Sequence, residues 1–566
     1  MLSKIFSENI KELFIKKKYQ DVILKIEEFS TMKSRPAGLS NLIGVCKIAK
    51  SDHKKNEVIS ALSDFEDAYN KSKKNLLGVE ALTNFITACV TYIKKYHEFA
   101  NHLPRAKKMY EETEKIFGYN EKLFTSGSDL FQYLLDYKKT IKILKSLIDN
   151  NTKNKITICA YGFINNYNYE WKQKDYFEYS KTFKNYFPII NAKKINEINY
   201  KKNKKIKIGF VSCDFTSNHS VTYFTKDTIN YLDKNLFETY CFSLSEDKFL
   251  KSSSLELKEK FDKWYDVSKF KNEDIIKFIQ NNKIEILFDI MGLTKAHRIE
   301  IFNTRISPIQ ISWLAYCNTV GFPTIDYLIA DKNLIYEHEE KLYSEKIIKL
   351  QDIWNCHSGF KLDRKFSPLP FNKNKYMTFG SFNNFLKISD NVVKVWSKIL
   401  QNINNSKLIL KSYNSYNTQT VLDKFKRYGV ENSIIIYDRS NYSNVEDHLN
   451  LYENIDIAFD TFPYNGVTTT FEALWKGVPV LVLKGYNFNS RCGESIIKNA
   501  NLEFLLSSNE DEYIEKAVYL SKNIEKLENE RKKIYNKILN TPLFDSKKFS
   551  SNLKDELLKI YKKNTN

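Results

Sequence analysis

The spacing of the apolar residues changes once along this chain, near residue 200, and that change limits the folds open to it. Before it, apolar and aromatic residues recur every three to four positions, the mark of helices that bury one face. After it, short apolar runs alternate with helical stretches, as in a parallel sheet covered by helices. The first part holds only six glycines and three prolines up to residue 190, so little interrupts a helical series.

Within that part the spacing predicts helices over Tyr19–Phe29, Asn56–Tyr69, Leu76–Tyr96, Pro104–Phe117 and Lys138–Leu147. Tyr19, His53, Tyr96 and Tyr137 open successive helical stretches roughly 34 to 43 residues apart, the period of stacked helical hairpins such as tetratricopeptide repeats. The small-residue pattern of that repeat is degenerate here, and a plain helical bundle accounts for the same residues. Either surface would hold a protein or peptide.

Strands are predicted at Ile206–Ser212, Glu238–Leu244, Ile284–Ile290, Ile309–Leu314 and Ile325–Ala330, with a helix over Ser220–Leu232. A second series runs through Tyr376–Phe382, Lys407–Leu410, Ser433–Tyr437, Ile455–Phe459 and Pro479–Leu483. The stiff segment Phe366-Ser367-Pro368-Leu369-Pro370 separates the two. Two doubly wound α/β domains in tandem bind ligands beyond the carboxyl ends of their strands.

Composition narrows the class further. At 566 residues the chain needs several cores, and its 42% hydrophobic content supplies them. No apolar run approaches the ~20 residues of a membrane span, and Met1 to Phe6 lacks the features of a signal peptide. The eight cysteines form no Cys-x-x-Cys pair, so neither a zinc site nor a disulfide framework is indicated and a reducing cytoplasm is expected. The net charge of +20 comes from lysine spread along the whole chain. The densest run, Lys201-Lys202-Asn203-Lys204-Lys205, precedes a strand and reads as a solvated linker, so no nucleic-acid partner is expected.

The segment Phe462-Pro463-Tyr464-Asn465-Gly466-Val467-Thr468-Thr469-Thr470-Phe471-Glu472 follows a strand and opens a helix. Gly466 permits a tight turn, and the threonines bring hydroxyls and backbone N–H groups to the helix start. Unpaired N–H groups and the positive end of the helix dipole suit a phosphate. A simple N-cap would also explain one of the threonines.

Residues 205 to about 505 resemble the catalytic region of the O-linked N-acetylglucosamine transferases, including the bacterial and plant SPINDLY-like branch. The resemblance is carried by Asp214-Phe215 with Asn218-His219-Ser220-Val221-Thr222-Tyr223-Phe224, Gly292-Leu293-Thr294 and Ser307–Tyr316. It continues through Phe382–Ile388, Asp460–Thr470, and Trp475–Val480 with Ser490-Arg491 and Gly493. It implies a GT-B enzyme: degenerate helical repeats over 1–195, an acceptor-side Rossmann-like lobe over 205–365, and a nucleotide-sugar lobe over 372–566 that ends in helices. The implied reaction is metal-free, inverting transfer of N-acetylglucosamine from UDP-GlcNAc to serine or threonine of a protein bound by the helical region. Another nucleotide sugar such as a glucose or fucose donor, a small-molecule or glycan acceptor, an asparagine acceptor, and a non-catalytic helical-repeat adaptor are the alternatives.

By the same resemblance Lys387 contacts the β-phosphate, and Thr468 and Thr469, after Gly466, hold the diphosphate. Asn384 stands where the family usually has a glutamine beside the donor. His448, twelve residues before Asp460, has the spacing of a nucleotide-contacting histidine, and Glu472 the place of an acid that binds the ribose. His219 matches a histidine on the acceptor side, where an imidazole suits a general base; capping of the following helix is its structural alternative. Asp214 would orient the loop. Each of Lys387, His448 and Glu472 would otherwise be an ordinary helix or surface side chain.

The chain also departs from the family. Leu293 replaces a histidine frequent in bacterial relatives, and Ala315-Tyr316-Cys317-Asn318-Thr319 replaces Gly-Tyr-Pro-Gly-Thr. Val467 replaces a histidine of the animal enzymes. These changes leave the diphosphate site intact and bear on the sugar and the acceptor. No Asp-x-Asp occurs in the chain, so the usual carboxylate pair for a nucleotide-bound divalent ion is missing.

Overall fold

The computed structural model describes residues 2–564 apart from 53, 94, 188, 191–203, 217–218, 295–297, 413–416 and 439–440. His53 of the helical spacing, most of the basic run at 201–205, Asn218 and the expected boundary near 195 lie outside the described residues. The chain divides into two compact units, Met1–Thr157 with Tyr413–Val421, and Ile158–Ser412 with Leu422–Asn566.

Successive helices build the first unit, among them Tyr19–Phe29, Ala37–Lys50, Lys55–Ser72, Leu76–Tyr92, Leu103–Phe117, Glu121–Tyr133 and Tyr137–Asp149. The starts are set locally: Asn75, Asn120 and Asp136 each accept a backbone N–H from the first turn that follows. Val58, Leu62, Phe65 and Tyr69 form one buried stripe at helical spacing. Gly44 lets that stripe approach, since a Cβ there would sit 2.5 Å from the Phe65 ring. Helices Ala37–Lys50 and Glu121–Tyr133 were not predicted, because each buries serine and glycine within its apolar face, and neither was helix Leu2–Ile15.

In the second unit, β1 (Ile206–Ser212), β2 (Phe237–Ser243), β3 (Lys263–Asp266), β4 (Ile286–Asp289), β5 (Ile309–Ser312), β6 (Tyr327–Asp331) and β7 (Lys346–Leu350) form one parallel sheet. Its order is β3-β2-β1-β4-β5-β6-β7. A second parallel sheet holds β8 (Thr378–Ser381), β9 (Lys407–Lys411), β10 (Ile434–Tyr437), β11 (Ile457–Phe459), β12 (Val480–Leu483) and β13 (Leu506–Ser507), in the order β10-β9-β8-β11-β12-β13. These are two Rossmann-like lobes. The strands missed from sequence, β3, β7 and β13, are edge strands, and β3 and β7 mix lysine with apolar residues. The strand order reverses between β1 and β4 and between β8 and β11, so the loops after those strands border the ligand crevices.

Two expected boundaries shift. The change of period near 200 does not mark the edge of the second unit, which takes in the chain from Ile158. Gln173 on helix Gln173–Ser180 donates 3.0 Å hydrogen bonds to Asn318 Oδ1 and the Leu342 carbonyl. Helix Ser546–Lys563, assigned by order to the second lobe, packs on the first. Phe549 stacks on Trp313 at 6.2 Å, and the Tyr561 hydroxyl donates to Glu285 at 2.7 Å. Amphipathic spacing shows that a helix needs a cover; it does not show which lobe provides one. Between the lobes, Arg491 makes a bidentate pair with Glu339 at 2.5 and 2.8 Å, and the Ser495 hydroxyl donates to Asp331 at 2.6 Å.

Candidate active site

Helix Thr468–Trp475 begins just beyond β11, with Val467 at its N-cap and no side chain closing its first turn. The Thr470 N–H donates to the Val467 carbonyl at 3.1 Å, and Val467 offers no side-chain acceptor to the N–H groups ahead of it. Thr468 and Thr469 are half-buried there. The Thr469 hydroxyl donates to Asn383 Oδ1 at 3.1 Å, which fixes it against the loop after β8. Gly466 is needed for this approach: a Cβ would lie 2.3 Å from Thr469 Oγ1, 2.8 Å from Asn383 Oδ1 and 3.0 Å from Asp460 Oδ1.

Lys387 comes from the short turn Phe385–Lys387 after β8, and its Nζ donates to the Asn465 carbonyl at 2.7 Å. The ammonium lies 4.1 Å from the centre of the Tyr464 ring. Burial pushes its pKa down to about 8, against the opposing pull of the Asp460 charge. Asp460, buried at the end of β11, accepts from the N–H groups of Gly466 at 2.6 Å and Thr461 at 2.9 Å. Burial pushes its carboxyl up to about 7, while those N–H groups and Lys387 favour the charged form. Asn384 is exposed and caps its own turn by accepting from Leu386 N–H at 3.0 Å; its neighbour Asn383 is the one that reaches Thr469.

His448 and Glu472 meet one turn further along this helix. His448 Nε2 lies 3.0 Å from Glu472 Oε2, and its Nδ1 lies 3.0 Å from Lys411 Nζ at the end of β9. The Tyr452 hydroxyl donates to Glu472 at 2.9 Å. These partners hold the Glu472 carboxyl below its ordinary range in spite of its burial. Phe382 and Tyr442 flank the imidazole at 5.9 and 6.0 Å.

In the first lobe, His219 is the N-cap of helix Ser220–Tyr231, and its Nδ1 accepts from Val221 N–H at 3.4 Å. Its Nε2 faces Asp214 Oδ1 at 3.9 Å, and the side chain is 43% exposed, open to an incoming group. Burial raises the Asp214 carboxyl, and the nearby His219 opposes the rise. Phe224 on this helix packs edge-on against Phe471 of helix Thr468–Trp475 at 5.3 Å, so the helices opened by His219 and by Thr468 touch. Leu293 is buried and packs against Gly162, where a Cβ would come within 2.9 Å of its Cδ1. The loop carrying Cys317 is fixed by Glu345, which accepts from Thr319 Oγ1 at 2.8 Å and Val320 N–H at 2.7 Å.

Lys387, Gly466 and Thr469 are thus joined through Asn465, Asn383 and Asp460, and His448 and Glu472 form one pair. Thr468 stands at the open helix start, while Asn384 and His219 cap their own segments. Sequence reasoning missed Lys411, Tyr452, Asn383 and the part played by Asp460. For Lys411, Asn383 and Asp460 the one sequence signal was position, at or just after the carboxyl ends of strands; Tyr452, on the turn Leu451–Asn454 ahead of β11, carried none. Among the described residues, no group of three or more His, Cys, Asp or Glu side chains is placed to hold a metal ion, and no helix is long and apolar enough to cross a membrane.

The comparisons bear on the family and the fold. The family model Glycosyl transferase family 41 matches residues 189–357 and 364–553. A Petunia hybrida protein named probable UDP-N-acetylglucosamine--peptide N-acetylglucosaminyltransferase SPINDLY is 30% identical over 366 residues, covering 64% of this chain and 39% of that protein. A Caenorhabditis elegans UDP-N-acetylglucosamine--peptide N-acetylglucosaminyltransferase is 22% identical over 491 residues, 66% of this chain and 42% of that one. The chain spans about two fifths of the length of the curated relatives it matches. The solved structure of a Thermobaculum terrenum O-GlcNAc transferase mutant shares the fold, with a TM-score of 0.78 and 20% identity over 94% of this chain and 98% of that one. With both lobes covered by the family model and their crevice loops built as described, the chain belongs to glycosyl transferase family 41.

Proposed function

We propose that the protein is a protein O-glycosyltransferase that moves N-acetylglucosamine from UDP-GlcNAc to serine or threonine hydroxyls, with inversion and without a metal ion. The observation that carries this reading is the junction of Lys387 with the uncapped start of helix Thr468–Trp475 through Asn465. Departure of a nucleoside diphosphate builds negative charge on the β-phosphate. An ammonium and fixed N–H dipoles already aimed there stabilise that charge without reorganisation. The names of the relatives, which specify UDP-N-acetylglucosamine and a peptide, supply the donor and the acceptor class.

Lys387 takes the leaving diphosphate, with Thr468, Thr469 and the helix start around it. The pair of His448 and Glu472, walled by Phe382 and Tyr442, receives the nucleoside, the carboxylate accepting from the ribose hydroxyls. His219 receives the acceptor hydroxyl's proton: its Nδ1 accepts from Val221 N–H at a long 3.4 Å, a contact that an incoming hydroxyl can replace. The helical first unit binds the acceptor protein, and the cytoplasm is its expected compartment. A donor carrying glucose or fucose is the second reading, favoured by Leu293, an apolar group where bacterial relatives often carry histidine.

Incubation with a panel of nucleotide sugars in EDTA, with diphosphate release as the readout, tests the proposal. Release from UDP-GlcNAc that is lost in Lys387→Ala supports it. Release from GDP-fucose or UDP-glucose alone would move the assignment to that donor, and release that persists in Lys387→Ala would remove the leaving-group role.

A further inference from the structure

Asp460 is the group at this site that the reading above leaves without a task. Its Oδ1 is engaged by two backbone N–H groups, from Gly466 and Thr461. Its Oδ2 is buried and finds no hydrogen-bond partner, although the Asn383 amide lies beside the carboxylate. Gly493 packs directly over it, where a Cβ would sit 2.6 Å from Oδ2. The loop that Asp460 anchors, residues 460–466, is the one whose Asn465 carbonyl accepts from Lys387, and Asn465 Nδ2 ties back to the Thr461 carbonyl at 2.8 Å. A buried carboxylate and an ammonium thus share one loop without touching.

We propose that Asp460 is a positioning residue of the donor site: it is the counter-ion that keeps Lys387 an ammonium while the site is empty, and it takes a proton on Oδ2 when a nucleoside diphosphate enters. The inference rests on the donor-site reading and adds to it that donor binding is accompanied by proton uptake.

The electrostatics follow from the placement. Two opposite charges out of water hold each other ionised. A diphosphate carries more negative charge than Lys387 can balance, so its arrival leaves Asp460 a like-charged neighbour in a dry site. Protonation relieves that repulsion, and Oδ2 is the oxygen that neither the Gly466 nor the Thr461 N–H engages. The other groups facing the pair are the Cys317 and Cys492 thiols beside Lys387, the Tyr464 ring under it, and Tyr513, whose hydroxyl donates to the Asp460 carbonyl at 3.4 Å. The carboxyl at about 7 and the ammonium at about 8 put the exchange within the neutral range.

Two measurements on the full chain test this. The first is the pH midpoint of Lys387 acylation without ligand, read peptide by peptide by mass spectrometry. In Asp460→Asn, whose amide oxygen still accepts from Gly466 and Thr461, the midpoint should fall by about one pH unit or more. The second is UDP titration calorimetry at pH 7.5 in buffers of different ionisation enthalpy. Wild type should take up roughly half to one proton per UDP. Because Asp460→Asn lets Lys387 itself titrate, the comparison is made with Lys387→Arg, whose cation stays charged. Lys387→Arg should keep the uptake, while Lys387→Arg with Asp460→Asn should show close to none. An unmoved Lys387 midpoint, or equal proton uptake in the two arginine-bearing proteins, overturns the proposal. Failure of wild type to bind UDP or GDP would instead overturn the donor-site reading and the proton coupling with it, while the ligand-free midpoint still decides the counter-ion role. The wild-type calorimetry needs no variant, so misfolding of Asp460→Asn would not shield the proposal.

Discussion

His448 and Glu472 share a 3.0 Å hydrogen bond, with Lys411 at the far nitrogen of the imidazole. An ammonium can only donate, so Nδ1 accepts from Lys411 and the proton on Nε2 points at the carboxylate. Two residues that the sequence offers as separate nucleotide contacts are one unit, oriented by a lysine from another strand. The single proton of the Tyr452 hydroxyl is shared between Glu472 and the Thr469 carbonyl, at 2.9 and 3.1 Å, and so couples this unit to the start of helix Thr468–Trp475.

Removing either member should therefore cost about the same as removing both. Glu472→Ala and His448→Ala are each expected to weaken UDP binding roughly tenfold, the worth of one charge-assisted hydrogen bond. The double variant should fall little further, and a double-mutant cycle on UDP affinity measures that coupling.

Lys387→Ala should lower turnover by about a hundredfold or more while leaving the melting curve close to that of wild type. The ammonium titrates at about 8, well below an ordinary lysine, because burial disfavours its charge. Wild-type kcat/KM for the donor is then expected to decline on the alkaline side of its pH profile near that value, as the charged form of Lys387 in the free protein is lost. A profile flat to pH 10 would contradict this.

Gly466→Ala tests the close approach of the two loops. Its new methyl would crowd Thr469 Oγ1, Asn383 Oδ1 and Asp460 Oδ1 together. The expected cost is about 1–3 kcal/mol of stability, with a loss of UDP affinity, because overpacking displaces the helix start from Lys387. Chemical denaturation and UDP titration of the same preparation separate the two effects.

His357 sets an acid limit on stability. Its ring is buried among Phe224, Phe471, Phe544 and Phe360 at 5.1 to 5.3 Å, and burial pushes its pKa down to about 4. The unfolded chain takes up a proton below about pH 6.5 that the folded chain refuses. Stability is thus highest above that pH and falls as the pH drops towards 4, by about 3 kcal/mol in all. His357→Phe should flatten this part of the curve, as read from denaturation midpoints at pH 7.5 and 5.

The sequence by itself determined the two kinds of architecture and the place of the loops that border the crevice. Apolar spacing depends on each segment's own period, so Tyr19–Phe29 and Ile206–Ser212 are legible from neighbours in the chain. The Gly-Val-Thr-Thr-Thr segment is likewise a local signal, since the turn, the helix start and its hydroxyls lie within a few residues. The tertiary structure decided what depends on long-range packing: that helix Ser546–Lys563 covers the first lobe, that Asn383 rather than Asn384 reaches Thr469, and that Lys411 orients His448. It also decided that Asp460 lies buried beside Lys387, about 70 positions away in the chain. Charge and burial act through space, and a chain read residue by residue carries the groups but not the distances between them.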